Sequence, residues 1–228
     1  MSAGLLLALL ALGAFVHRAL LGRLGAGVVA HLVRLPGNLL HELAHAVALL
    51  ATGYTVANLT VSLLDSAGRG GVRPGPPWTR LARPWVANLI APVAPVASGL
   101  AALAVLHPLL GAPGLPTSVD SVLPLLRAVP WGSWQLWAGL ALAFSITAET
   151  APSDIDLAAW WKPALVAAVL VGGAAYGLEQ WRPGELLAQL QAVDAVSRPY
   201  VARALALGVW SALAFAPVAW LAGKLRGA

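Results

Sequence analysis

The chain has no cysteine and a single methionine. Without cysteine there are neither disulfides nor thiolate ligands, so any metal ion must be held by His, Asp and Glu. Charge is scarce as well: 10% of the 228 residues are Asp, Glu, Lys or Arg, against roughly 25% in a soluble domain. Hydrophobic residues make up 59% and the mean hydropathy is +0.79. This composition excludes a soluble globular domain and implies a protein solvated by a lipid bilayer. A basic helix face is also missing, although the net charge is +5 and the pI about 10.4. The basic residues are scattered through connecting segments, which argues against nucleic acid as a partner and fits arginines facing anionic lipid. Internal repeats and long linkers are absent, so residues 1–228 read as one integral membrane domain.

What is present is a series of apolar stretches near the ~20 residues that cross a bilayer core. Gly4–Leu21, Pro36–Thr52, Val86–Leu106, Trp131–Thr147, Pro163–Leu178 and Ala204–Gly223 are expected to be spans. The predicted fold is therefore an all-α polytopic membrane protein of about six transmembrane helices, multi-pass in the cell membrane. The first run lacks a basic segment before Gly4 and is expected to be a retained span rather than a cleaved signal. Trp78, Trp85, Trp131, Trp134, Trp160, Trp161, Trp181 and Trp220 fall near the span ends, as indoles that prefer the headgroup interface do. Lys and Arg divide evenly between alternate sides, so loop charge sets no orientation.

Three connections carry further expectations. Gly53–Leu63 is rich in Thr, Val and Tyr, with alternation that changes parity after Val56. This predicts a strand with a bulge, turning through "DSAGRGG" towards Val72 as a short membrane-associated β-hairpin. His107–Pro130 reads as a surface loop. Glu185–Val196, with Leu186, Leu190 and Val193 at helical spacing, predicts a short interfacial helix.

The second span carries His41-Glu42-Leu43-Ala44-His45. On a helix, residues i and i+4 share a face, so both imidazoles can bind one metal ion. Glu42 is close enough to act on a water held there without being a ligand. Two ligands and a general base are the H-E-x-x-H zinc motif. With 5 His and 4 Glu in the chain, an accidental match is expected on the order of 0.002 times. Ionisable side chains at membrane depth cost at least ~2.5 kcal/mol each on insertion scales, and a divalent cation compensates two of the three. The competing reading is a metal-free polar cluster between helices.

A catalytic zinc takes three protein ligands and keeps one position open. The third is sought among Glu149, Asp154 and Asp156, which cluster in "SITAETAPSDIDLAAWW" between the fourth and fifth spans. Pro152-Ser153 breaks the fourth span, and irregular backbone at membrane depth is tolerated where it lines a cavity. The same residues also read as a helix cap, with Ser153 as N-cap and Asp156 three residues on, or with Asp154 as the cap.

His41-Glu42-Leu43-Ala44-His45 in an apolar helix, then Gly53 and a β-like stretch, the Pro-rich "NLIAPVAPVASG" and a later Pro-Ser-x-x-Asp together resemble the site-2-protease-like intramembrane zinc metalloproteases. The resemblance runs from about Pro36 to Trp161. It implies a Zn2+ held by His41, His45 and an aspartate from Pro152–Asp156, which we take as Asp156 by its place in Pro-Ser-x-x-Asp. It further implies Glu42 as the general base and a transmembrane or membrane-associated protein as the substrate. Better-known members carry Asp-Gly at the third ligand, where this chain has Asp156-Leu157. A non-catalytic scaffold derived from such a protease, or a metal transporter, is the alternative. Asn38, one turn before His41, and Asn88 are candidates for orienting a ligand or an oxyanion, or for interhelical hydrogen bonds. His17, His31 and His107 are expected to be interfacial.

Overall fold

A computed structural model describes residues 2–24, 28–61, 71–115, 119–151 and 153–227. The chain is mostly helical, with one small antiparallel sheet. The helices are α1 (Ala3–Leu24), α2 (Val28–Ala51), α3 (Pro84–Ile90), α4 (Ala94–Leu109), α5 (Val122–Ala128), α6 (Trp134–Thr150), α7 (Asp154–Trp181) and α8 (Glu185–Gly227). Strands β1 (Tyr54–Thr60) and β2 (Gly71–Pro77) pair between α2 and α3.

Each expected span falls on helix. Four helical stretches are long and apolar enough to cross a membrane: Gly4–Leu24, Pro84–Leu109, Ile155–Trp181 and Glu185–Leu225. The second is α3 and α4 joined by a 3-10 turn at Ala91–Val93, where Pro92 and Pro95 each withhold an N–H from the helical ladder. The other two helices have different surfaces. Helix α6 has 17 residues and rises only about 26 Å at 1.5 Å per residue. Helix α2 carries Arg34, Asn38, His41, Glu42 and His45 along its length.

Helix α2 is built inside out. Leu32, Leu39, Leu43, Val47 and Leu50 recur at helical spacing on its exposed face, whereas Asn38, His41 and Glu42 are buried. A helix in water shows the reverse pattern. The buried face of α2 packs on α6, whose Leu136, Leu140, Ala143, Phe144 and Ala148 are all buried and which also touches α1, α4 and α8. Helix α1 lies along α8, where Leu6 and Leu10 meet Val201, Ala204 and Leu207.

The contact of α2 with α6 is fixed by Gly37. Pro36 cannot donate to the carbonyl one turn back, and Ser145 braces this weakened point. Its hydroxyl accepts from the Gly37 N–H at 2.8 Å and donates to the Arg34 carbonyl at 3.2 Å. A Cβ on residue 37 would overlap the Ser145 carbonyl group itself, so only glycine lets the helices come this close. At the other end of α2, Gly53 has φ +91°, a left-handed conformation that ends the helix at low cost. Its carbonyl accepts from the Trp78 N–H at 2.9 Å, which ties the hairpin back to the helix end.

The hairpin agrees with the alternation that predicted it, including irregular register between Tyr54 and Val56 and between Val56 and Asn58. Its connecting turn, along with Leu63, lies outside the described residues. Two expectations are corrected. Glu185–Val196 is no separate interfacial helix but the opening turns of the 43-residue α8, which continues through Pro199. His17 is not interfacial: it is buried between α1 and α8, with Nε2 2.9 Å from the Ser211 hydroxyl and Nδ1 donating to the Gly13 carbonyl at 2.7 Å. The expected loop at His107–Pro130 contains the short helix α5.

Since Gly37 has no room for a Cβ, Gly37→Ala must push α2 away from α6. The expected loss is about 1–3 kcal/mol, read as a lowered midpoint in detergent unfolding. Substituting the exposed Leu39 by alanine should leave that midpoint nearly unchanged.

Candidate metal centre

The two contacts that join α2 to α6 advance together: Gly37 meets Ser145, and four residues later on both helices His41 meets Glu149. The helices therefore run in the same direction here. Glu149 lies in the last turn of α6, where carbonyls have no intrahelical donor. The His41 ring supplies one, donating from Nδ1 to the Glu149 carbonyl at 2.6 Å. His45 is held in the same way. Pro95 stands where a helix would place the N–H bonded to the Ala91 carbonyl, and His45 Nδ1 donates to that carbonyl at 2.8 Å.

A carbonyl can only accept, so each Nδ1 carries a proton, and in the neutral form of each ring Nε2 is then unprotonated and available to a metal ion. The two Nε2 atoms lie 3.0 Å apart. The Asp156 carboxylate joins them, Oδ1 at 3.3 Å from His45 Nε2 and Oδ2 at 3.7 Å from His41 Nε2. Two lone pairs and an anion converge in a largely buried place, and a shared cation relieves their repulsion. The three ligand atoms lie within 4.8 Å of one another, and metal–nitrogen bonds of about 2.0–2.1 Å let one ion reach two nitrogens 3.0 Å apart. The residues present fit a metal ion. Backbone carbonyls orienting the far ring nitrogens are the usual outer support of such a site.

Asp156 has a second task. Ser153 caps α7, its hydroxyl accepting from the Asp156 N–H at 3.1 Å, while Asp156 Oδ2 accepts from the Ser153 N–H at 2.9 Å and hydroxyl at 2.6 Å. This is a full capping box. The cap and the ligand are one structure: two donors restrain Oδ2 while Oδ1 faces His45.

The helical motif and the distant aspartate thus meet as expected. Glu149 takes part through its backbone rather than its carboxylate, and the side chain of Asp154 lies outside the described residues. Glu42 is buried, and its Oε2 has no hydrogen-bond partner among the described residues. Asn38 is buried one turn before His41, and Asn88 is exposed. His107 sits apart, its Nε2 3.3 Å from the Pro113 carbonyl. Sequence reasoning missed the Ala91 and Glu149 carbonyls and the bracing role of Ser145. The first had a signal in Pro95, which strips Ala91 of its helical donor; the others depend on how α2 meets α6.

No protein-family model, curated protein or solved structure matches this chain.

Removing a ligand should abolish metal binding, and removing its support should weaken it. Purified protein should hold about one divalent ion per chain, and His45→Ala or Asp156→Ala should hold almost none by elemental analysis. Ser153→Ala, which loses one donor to Asp156 and the N-cap, should lower metal affinity about 10-fold, as outer-shell changes do.

Proposed function

We propose that the chain is an intramembrane zinc metalloprotease that hydrolyses peptide bonds in transmembrane or membrane-associated proteins. The observation that carries this reading is the convergence of His41, His45 and Asp156 beside a buried glutamate whose Oε2 is unpartnered. A site that only stored or bound metal has no use for that carboxylate. The reading agrees with the resemblance to site-2-protease-like enzymes, with Asp156 as third ligand although Leu157 rather than glycine follows it.

Zinc held by His41, His45 and Asp156 would supply Lewis acidity, lowering the pKa of a bound water towards ~7 and polarising the scissile carbonyl. The chain's own residues do the rest. Glu42 takes the proton of the attacking water on its carboxylate and passes it to the leaving amine nitrogen. The Glu149 and Ala91 carbonyls keep both imidazoles in the tautomer that leaves Nε2 free. Burial of the site strengthens each of these interactions and keeps bulk water out.

A substrate helix hides its peptide bonds in internal hydrogen bonds and must be opened locally. Strand β1 is suited to hold the opened segment by main-chain pairing. Among the described residues it pairs only with β2, and β2, with Pro74, Pro76 and Pro77, cannot offer an unbroken row of donors on its own far side. In this arrangement α2 and α6 also cross the bilayer, giving six spans in a multi-pass protein of the cell membrane. Helices α1, α4 and α8 pack around α6, while α2 turns its apolar face outward.

Glu42→Gln should keep its zinc and lose cleavage of a model transmembrane peptide by about 10²–10⁴-fold, the worth of a positioned general base. Stoichiometric zinc with no cleavage by the wild-type protein would instead indicate a scaffold, and metal flux in liposomes would indicate a transporter.

A further inference from the structure

A cleft of about 170 Å³ lies between the first turns of α7 and the break that joins α3 to α4, lined by Pro92, Val93, Val96, Asp156, Leu157 and Trp160. Both walls continue directly from the metal centre. On one side Pro92 and Val93 follow Ala91, whose carbonyl holds His45. On the other, Asp156 is itself in the wall, and Trp160 lies one turn further along the same face of α7.

The lining is apolar apart from Asp156. The cleft therefore suits an apolar body placed beside the candidate metal ligand, and a peptide opened from its helix offers one as a side chain. An apolar cavity of roughly 150 Å³ accepts a benzene-sized group, so this cleft suits Leu, Met or Phe.

We propose that this cleft is the specificity pocket for a substrate residue flanking the scissile bond and that it selects a medium or large aliphatic or benzyl side chain. The proposal rests on the proteolytic reading, and it narrows the substrates to transmembrane segments with such a residue at the cleavage point. Val93, Val96 and Leu157 supply its aliphatic lining.

Two measurements test it. In the first, two model transmembrane peptides differ only in Leu or Ala next to the cleaved bond. Wild type should prefer Leu by about 10–200-fold in kcat/KM, the range a hydrophobic pocket achieves. Val96→Phe should reverse the order while keeping its zinc. In the second, zinc-loaded Glu42→Gln is irradiated with the Leu peptide carrying a diazirine leucine at that position. Adducts on Val93, Val96 or Leu157 are expected. An unchanged Leu-to-Ala ratio in Val96→Phe, or adducts confined to side chains outside the cleft, would overturn the proposal. Should wild type cleave neither peptide, the proteolytic reading fails and the adducts alone decide whether the cleft binds peptide.

Discussion

Two imidazoles and a carboxylate are aimed at one point, and the surrounding structure is arranged to keep them there. The rings cannot turn away because each Nδ1 is bonded to a backbone carbonyl, at Glu149 and at Ala91. Those carbonyls lack their α-helical donor because the helices that own them are interrupted, although the Ala91 carbonyl also accepts from the Ala94 N–H. One is at the end of α6; the other is at the proline-broken joint between α3 and α4. The irregularities that look like weaknesses in the helix bundle are what supply acceptors at this depth. A metal ion bound by all three side chains would tie α2 to α7 and so couple metal binding to the packing of these helices.

The motif itself was legible because its chemistry lies on one helix, where spacing alone decides which side chains share a face. The third ligand was legible only as a choice. Asp156 could be read as a cap or as a ligand, and those readings seemed to compete because each was assigned the whole carboxylate. The two oxygens divide the work instead, so the cap is part of what positions the ligand. The carbonyl partners were hidden for a different reason. Every residue has a carbonyl, and which ones lose their helical donor depends on where helices break and meet. Pro95 was the one visible sign. His17 was misread because its partner Ser211 is 194 residues away, and nothing local distinguishes a buried histidine near a helix end from one at an interface.

The fold was legible at the level of apolar segments and less so at their ends. Each of the six apolar runs lies largely on helix, since a long run of hydrophobic residues between Pro- and Gly-rich segments has few alternatives. Boundaries failed where polarity changed without a break in the backbone. Glu185–Val196 differs in composition from Ala204–Gly223, which suggested two elements, yet a helix can run from a polar to an apolar environment. Pro199 does not end it, because a proline within a helix removes one bond and bends the chain but need not stop it. The hairpin was found from its alternation, and its bulge from the change of parity.

Hydropathy does not single out the helix that carries the H-E-x-x-H motif. Helix α7, apolar enough to cross a membrane, has no buried residue in its most apolar window; α2 carries the whole motif and is not among the four that pass by length and composition. The difference follows from what surrounds each helix. One that faces lipid must be apolar on its outside, whereas one enclosed by other helices is solvated by protein and is free to carry polar groups, provided that each is bonded or paired. Helix α2 combines both surfaces, with leucines and valines outward and Asn38, His41 and Glu42 inward. Within it the Glu42 carboxylate keeps one buried oxygen, Oε2, without a hydrogen-bond partner among the described residues. A buried carboxylate oxygen left without a partner is costly to the fold, and the proteolytic reading proposed above would give it a use.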